Sequence, residues 1–101
     1  MDAALKAIAE PRRRQILSLV RDDEMSAGDI AAHFDVTRPA VSQHLTVLKD
    51  AGLVSERREG TRRIYRVEPA GVAGLRAYLD RFWSDALTAY KEAAEREGGA
   101  A

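Results

Sequence analysis

The residues of this sequence best suited to chemistry lie in one stretch, 37–52, where hydroxyls, a carboxamide and cations recur at helical spacing. One side of the expected helix carries Arg38, Ser42, Thr46 and Lys49, with Pro39 and Gln43 beside them. Such groups exchange hydrogen bonds with base edges and donate to phosphates. A solvated helix face usually carries Glu/Lys pairs, whereas this one has no carboxylate before Asp50. We therefore interpret the stretch as a helix that lies in a DNA major groove.

The opposite side of the same helix is apolar, and its two ends carry capping residues. Val41, Leu45 and Leu48 follow one another at i, i+4 and i+7, the spacing of a face that packs on a core. Thr37 is suited to cap the start, and Gly52 can end the helix in a left-handed conformation.

A second helix is predicted immediately before the first one. Ser26 followed by Asp29 resembles a capping box in which Asp replaces the usual Glu. It predicts a helix over 27–34 whose apolar side is formed by Ile30, Ala31 and Phe34. Residues 35–36 then form a tight turn. Two short helices joined in this way, the second with a polar face, are a helix-turn-helix arrangement.

A basic hairpin is predicted directly after these helices. Residues 53–58 and 62–67 have strand-like composition, and Gly60 between them can take a positive φ. Tyr65 and Val67 are expected to face inward, with Arg62, Ile64 and Arg66 on the outer side. Although the formal net charge of the 101 residues is zero, five arginines oppose a single glutamate over 57–66. We expect four of them to neutralise DNA phosphates: Arg57, Arg58, Arg62 and Arg63.

The N-terminal residues predict two helices separated by a proline. Residues 1–9 form the first, and Pro11 leads into a second over 12–21. Three arginines, 12–14, begin the second helix, where positive charge is unfavourable to the helix dipole. They therefore need a negative partner, which is either DNA phosphate or the acidic residues 22–24.

A long helix is predicted from Pro69 to about Glu95, weakened at its start by Gly71 and Gly74. Its apolar face is wider than one small domain needs and is expected to pair with helix 1–9 and a symmetry mate. The predicted dimer interface comprises Leu5, Ile8, Leu75, Leu79, Phe82, Trp83, Leu87 and Tyr90. The domain boundaries are then 1–95 for one DNA-binding domain, 1–9 and 70–95 for its dimerisation helices, and 96–101 for a flexible tail. The alternative is that the long helix folds back on the core of its own chain.

Composition and spacing exclude several other classes of function. The chain has no cysteine, so disulfides and thiolate metal sites are excluded. Its apolar runs are too short to span a bilayer and no signal peptide begins it, so we expect a cytoplasmic protein with no membrane partner. Ser42 lacks the histidine and acid of a catalytic triad, and the two histidines lack a third metal ligand. We predict neither an enzyme nor a cofactor.

Three segments, 10–17, 38–54 and 57–65, resemble the ArsR family of bacterial winged-helix transcriptional repressors. The resemblance implies a mainly α fold with a small β-hairpin, a winged helix-turn-helix that dimerises through its N- and C-terminal helices. It also implies that the hairpin, or wing, reaches phosphates or the minor groove, and that major-groove contacts come from Arg38, Pro39, Ser42 and Gln43. Many members of the family sense metals through cysteines near the start of the third helix, here 24–29, which hold no thiol. The chain therefore resembles the non-metal branch of the family.

These observations predict a sequence-specific regulator, a repressor, that binds double-stranded DNA at an inverted repeat as a homodimer. In the bacterial cytoplasm it would be associated with the nucleoid. We expect Thr46 to contact the major groove together with the four residues named above. Three further residues are expected to contact the DNA backbone: Thr37, His44 and Lys49. Two alternatives remain: a winged-helix module that binds an acidic protein, and a regulator with a small apolar effector near Phe82, Trp83 and Tyr90.

Overall fold

The computed structural model describes residues 1–100. The described residues form five helices and three strands, and the strands make up one sheet. In order they are α1 (Asp2–Ala9), α2 (Pro11–Asp22), β1 (Met25–Ser26), α3 (Ala27–Ala31), α4 (Arg38–Asp50), β2 (Val54–Glu59), β3 (Arg62–Val67) and α5 (Pro69–Ala100).

Helix α4 forms as its capping residues predict. The Thr37 hydroxyl accepts a hydrogen bond from the Ala40 amide at 3.2 Å, which satisfies one of the free donors at the helix start. The helix ends before Gly52, whose φ is 78°. The three residues of its predicted apolar side are fully buried: Val41, Leu45 and Leu48. This burial fixes the opposite, polar side of α4 toward solvent.

Helix α3 is shorter than the predicted 27–34 and ends at Ala31. The expected cap is present, because the Ser26 hydroxyl accepts from the Asp29 amide at 3.1 Å. After Ala31 the chain continues as turns, in which the amides of His33 and Phe34 bond carbonyls three residues earlier. The tighter bonding ends the regular helix while still carrying Phe34 against the core.

The predicted hairpin is joined by a third strand that was not expected from the sequence. The sheet order is β1-β3-β2, antiparallel throughout, and β1 pairs Met25 with Tyr65 and Ser26 with Ile64. Gly60 turns the hairpin with a φ of 64°. Because β3 is the central strand, Ile64 is as buried as Tyr65, and its expected exposure on the outer side was wrong.

The core lies where α1, α2, α3 and α4 meet the inner face of the sheet. Its fully buried large side chains are Ile16, Ile30, Val41, Leu45, Leu48 and Leu53. Each contributes about 1.5–3 kcal/mol by leaving water. These residues hold α4 against the rest of the chain and so fix the orientation of its polar face.

Helix α5 runs unbroken through both early glycines. Gly71 lies against the turn after α4, where a Cβ would meet the Gly52 carbonyl oxygen at 1.8 Å. The Glu68 amide also donates to the Leu53 carbonyl at 2.9 Å. The predicted helix end near Glu95 was wrong, because the backbone stays helical to Ala100 without taking a left-handed conformation at Gly98. Most of the expected flexible tail, 96–100, is therefore helical, and Ala101 lies outside the described residues.

Candidate nucleic-acid interface

The polar face of α4 is exposed over its whole length. Its five predicted major-groove residues are all exposed: Arg38, Pro39, Ser42, Gln43 and Thr46. The Thr46 hydroxyl donates to the Ser42 carbonyl at 3.0 Å and keeps its lone pairs free to accept. The exposed face can therefore both donate and accept hydrogen bonds at base edges.

The residues predicted to contact the DNA backbone occupy three different environments. Thr37 is exposed, although its hydroxyl already caps α4. Lys49 lies at the other end of the helix, and its Nζ is 3.2 Å from Glu56 Oε1 on β2. His44 is half-buried against α2, with its Nδ1 3.3 Å from the Arg13 guanidinium. His44 thus packs between two helices, whereas Thr37 and Lys49 lie at the ends of the exposed face.

Two of the three arginines that begin α2 find negative partners in α1, whereas Arg12 lies over the Phe34 ring, 5.0 Å from its centroid. Arg13 donates to the carbonyls of Ala7 and Lys6 at 2.7 and 3.2 Å, and Arg14 donates to the Ile8 carbonyl at 2.7 Å. These carbonyls end α1, where the helix dipole is negative and acceptors lack partners within the helix. Of the two partners that the sequence left open, Asp22 and Glu24 pair elsewhere, with Arg21 and Arg57. Contact of the arginines 12–14 with DNA phosphate stays a prediction.

Glu10 offsets the same positive charge from the other side. Its carboxylate accepts from the Arg13 amide at 2.9 Å and caps α2. Burial raises the pKa of Glu10, but this amide hydrogen bond and the nearby charges of His44 and Arg13 outweigh burial and lower the pKa. Because its carboxylate caps the helix and carries the opposite charge, Glu10 permits three consecutive arginines in the first turns of α2.

Three of the four predicted wing arginines form ion pairs with acidic residues of the same chain. Arg57 contacts Glu24 and lies 3.1 Å from Glu59. Arg62 lies 2.8 Å from Asp29, and Arg63 lies 3.5 Å from Glu56. Among the ion pairs within residues 1–100, none involves Arg58. The wing is therefore less positive than its count of arginines indicates.

The hairpin register divides these arginines between two faces of the sheet. Arg58 stands opposite Arg63, and both lie on the face of Tyr65, which packs in the core beside α4. Arg57 is paired with Ile64 and lies on the other face. Arg58 and Arg63 therefore share the face that is packed against the helices. Arg62 starts from the other face by register, but its guanidinium reaches Asp29 of α3.

Glu56 connects the hairpin with the end of α4. Its Oε1 lies within ion-pair distance of both Lys49 and Arg63, and only a quarter of its side chain is exposed. The Tyr65 hydroxyl, Lys49 and Arg63 together lower the pKa of Glu56 despite its burial. Burial, and then the Glu56 charge, raise the pKa of Tyr65. Glu56 therefore stays ionised and holds one cation of the helix near one cation of the wing.

A polar cleft of about 660 Å³ separates α4 from the hairpin tip. Its walls carry cations and hydroxyls from both elements, with α3 at one side. The lining includes Asp29, Arg38, Ser42, Thr46, Arg62 and Arg63. The cleft thus joins the exposed face of α4 to the wing in one continuous polar surface.

The predicted dimer interface has one half-buried part and one exposed part. Leu5 and Ile8 of α1 are half-buried against the core. Along α5 the large apolar residues are exposed, with exposed fractions of 57% for Phe82, 63% for Trp83 and 74% for Tyr90. Leu75 differs from the predicted set, because it is buried in the core of its own chain, where the first turns of α5 pack. The expectation that Leu75 contributes to an interface between chains is corrected accordingly.

The described residues hold neither a metal-binding cluster nor a membrane-spanning helix. Within residues 1–100, no group of three or more His, Asp or Glu side chains is arranged to hold a metal ion. No described helix combines the length and the apolarity needed to cross a membrane.

The chain matches proteins of known class. The family described as "Bacterial regulatory protein, arsR family" matches residues 10–56. The HTH-type transcriptional regulator Rv2034 of Mycobacterium tuberculosis is 47% identical over 97 residues, which are 96% of this chain and 91% of that protein. The chain belongs to the ArsR family. The transcriptional repressor SdpR of Bacillus subtilis is 47% identical to this ArsR-family chain over 60 residues, 59% of this chain and 67% of SdpR.

Solved structures agree with the architecture. The crystal structure of a possible transcriptional regulator for arsenical resistance superposes with a TM-score of 0.77 and 44% identity, covering 88% of this chain and 95% of that one. The homodimeric winged helix-turn-helix DNA-binding domain Mb0332 of Mycobacterium bovis superposes with a TM-score of 0.68 and 37% identity, covering 85% and 80%. The predicted winged helix-turn-helix fold is confirmed. This ArsR-family protein is a DNA-binding transcriptional regulator.

Sequence reasoning identified the cations of this surface but missed the acids that accompany them. Asp29 was recognised only as a capping residue, Glu24 was considered only as a partner of the arginines 12–14, and Glu56 received no role. The sequence did contain a signal for Glu56. It precedes Arg58 by two residues, and side chains two residues apart on a strand lie on the same face. The pairing of Asp29 with Arg62 joins residues 33 positions apart and has no local signal.

Proposed function

We propose that this ArsR-family regulator represses transcription by binding an inverted-repeat operator as a homodimer. The observation that carries the proposal is the exposed polar face of α4, continuous through a polar cleft with the basic hairpin. A regulator of this kind acts in the bacterial cytoplasm, at the nucleoid where its operator lies.

The major-groove face supplies the sequence preference. Arg38 donates two hydrogen bonds to a guanine, and Gln43 contacts an adenine, each contributing about 1–3 kcal/mol of discrimination. Ser42 contacts a base edge or a phosphate, since its hydroxyl donates and accepts. Thr46, whose hydroxyl already donates to the Ser42 carbonyl, accepts from a base edge. Pro39, in the first turn of α4, adds apolar contact at the start of the recognition surface.

Backbone contacts position this face without recognising sequence. Thr37 and Lys49 lie at opposite ends of α4 and contact phosphates on either side of the groove, with His44 at its half-buried margin. The wing adds phosphate contacts from Arg58, Arg62 and Arg63. Arg57 contributes least, because Glu24 and Glu59 already neutralise it on the other face of the hairpin.

Dimerisation places two copies of α4 on one side of the duplex. The exposed apolar residues of α5 need a covering surface, and a two-fold related α5 with α1 beside it supplies one. The homodimeric state of the Mycobacterium bovis domain supports this arrangement. Symmetry then predicts half-sites about 10 base pairs apart from centre to centre.

The proposal is tested by selecting bound duplexes from a random pool with the wild type and Arg38→Ala. We expect the wild type to enrich a symmetric motif, and Arg38→Ala to lose preference at one position of each half-site. Its affinity for the wild-type motif should fall at least about 30-fold, because the contact of about 1–3 kcal/mol is lost in both half-sites. A motif without symmetry would overturn the dimeric operator, and an unchanged motif would remove Arg38 from base recognition.

Repression is tested separately with a reporter downstream of the selected motif. Expression should fall when the protein is produced and recover with Arg38→Ala at equal protein levels. A rise in expression on producing the wild type would establish activation instead.

A further inference from the structure

The cleft between α3, α4 and the hairpin is built to hold an anion. Arg38 and Ser42 from α4 line it, together with Arg62 and Arg63 from β3. Guanidinium groups and hydroxyls together are the donors that bind phosphate oxygens. The cleft opens on the face proposed to meet DNA, so a backbone phosphate is the anion that this site would meet.

An anion of the protein itself already occupies part of this site. Asp29 Oδ2 accepts a hydrogen bond from an Arg62 guanidinium nitrogen at 2.8 Å, and somewhat more than half of each side chain is exposed. The backbone of Asp29 is fixed, because its amide donates to the Ser26 hydroxyl that caps α3. The next residue toward the N-terminus, Gly28, lies beside the Arg38 guanidinium. The carboxylate is thus held among the cations of the cleft.

We propose that a DNA phosphate displaces the Asp29 carboxylate from Arg62, so that Asp29 lowers the affinity of the protein for every duplex. The inference rests on the proposed function and assigns Asp29 a part in it. A phosphate and a carboxylate compete for the same guanidinium, and the ion pair must be broken before the phosphate binds. The penalty is independent of base sequence. DNA sites at which α4 makes no base contacts bind the protein more weakly than the operator does. The same penalty therefore releases the protein from those sites before it releases it from the operator.

The experiment measures binding of Asp29→Asn to a scrambled duplex of about 30 base pairs, long enough for two half-sites one turn apart. Asparagine keeps the backbone hydrogen bond to Ser26 and removes only the charge. Asp22→Asn is the matched control, because Asp22 is an equally charged exposed residue that pairs with Arg21 outside the cleft. Both variants are also made in an Arg62→Ala background, and thermal melting verifies that each variant folds.

We expect Asp29→Asn to bind about three- to fivefold more tightly than the wild type, since exposed ion pairs contribute at most about 1 kcal/mol. In the Arg62→Ala background the same change should alter affinity less than about twofold, because the competing partner is gone. Asp22→Asn should leave affinity within about twofold in both backgrounds, because its exposed pair with Arg21 lies outside the cleft.

Two results would overturn the inference. One is unchanged or weaker binding by Asp29→Asn, and the other is equal tightening with and without Arg62, which would indicate a general charge effect. If instead the wild type binds no duplex at low salt, the proposed function itself has failed.

Discussion

At the level of single residues, Gly71 marks a place where helix α5 lies directly against the turn that follows α4. A Cβ there would overlap the Gly52 carbonyl, which stands in the turn that ends α4. In the sequence Gly71 indicated only a weak helix start, because helix propensity is local and says nothing about a second backbone. Its function is spatial: it lets α5 begin directly beside α4.

Gly71→Ala should therefore destabilise the protein by about 1–3 kcal/mol, since the backbones must separate to admit a methyl group. Gly74 lies one turn further in the same helix, and nothing lies within 4 Å of a Cβ built there. Gly74→Ala is the control and should stabilise by about 0.5–1 kcal/mol through helix propensity. Urea denaturation of both variants measures the difference. Equal effects of the same sign would show that the close approach is not maintained in solution.

The cations of the candidate site could be predicted from the sequence, but their partners could not. Arg38, Ser42 and Gln43 were found because they share one helical face, which is a local property. The pairs Arg62–Asp29 and Arg57–Glu24 each join residues 33 positions apart. Such pairs exist only after β1 has aligned with β3 and brought α3 beside the wing. Net charge over a short segment therefore overestimated the positive potential of the wing.

At the level of elements, those with a local signal could be predicted and those formed by distant pairing could not. Helix α4 has a cap, an apolar stripe and a terminal glycine within its own sequence, and it was predicted nearly to the residue. Strand β1 has only two residues and exists through its pairing with β3, so no periodicity could predict it. The end of α3 likewise depends on turns that carry Phe34 to the core rather than on a stop signal.

The two faces of the wing predict different contributions to DNA binding. Replacing both Arg58 and Arg63 by Ala should weaken binding to specific and scrambled duplexes alike. The slope of log affinity against log salt concentration should become shallower by about 0.9 for each phosphate that is no longer neutralised. Replacing Arg57 and Arg66, which lie on the opposite face, removes the same charge and should leave the slope nearly unchanged. Titrations at several salt concentrations measure both. Equal slopes for the two double variants would contradict the assignment of faces.

At the level of the whole molecule, α5 gives the chain an elongated form. The radius of gyration is 18.4 Å and the longest dimension 68 Å, against a radius of about 13 Å for a compact domain of 100 residues. Beyond Leu75 the helix carries its large apolar residues in solvent. The alternative that α5 folds back on its own core is therefore wrong for the described chain.

A charge placed on the apolar face of α5 should separate the proposed dimer. Trp83→Glu puts a carboxylate among exposed aromatic residues and should yield monomers at concentrations where the wild type is dimeric, with at least a tenfold loss of operator affinity, the equivalent of about 1.4 kcal/mol. Thr88→Glu adds the same charge on the opposite side of an ideal helix and should leave the dimer intact. Sedimentation equilibrium distinguishes the two. A monomeric wild type would contradict the proposal directly.

The projecting part of α5 has a consequence for how the protein behaves on dilution. A helix without tertiary contacts is only marginally stable in water, so its outer turns depend on the second subunit for their order. Dimerisation and the ordering of the outer turns of α5 are then one equilibrium. The melting temperature therefore rises with protein concentration. The number of molecules that a cell makes thus determines how much of each chain is fully ordered, as well as how often the operator is occupied.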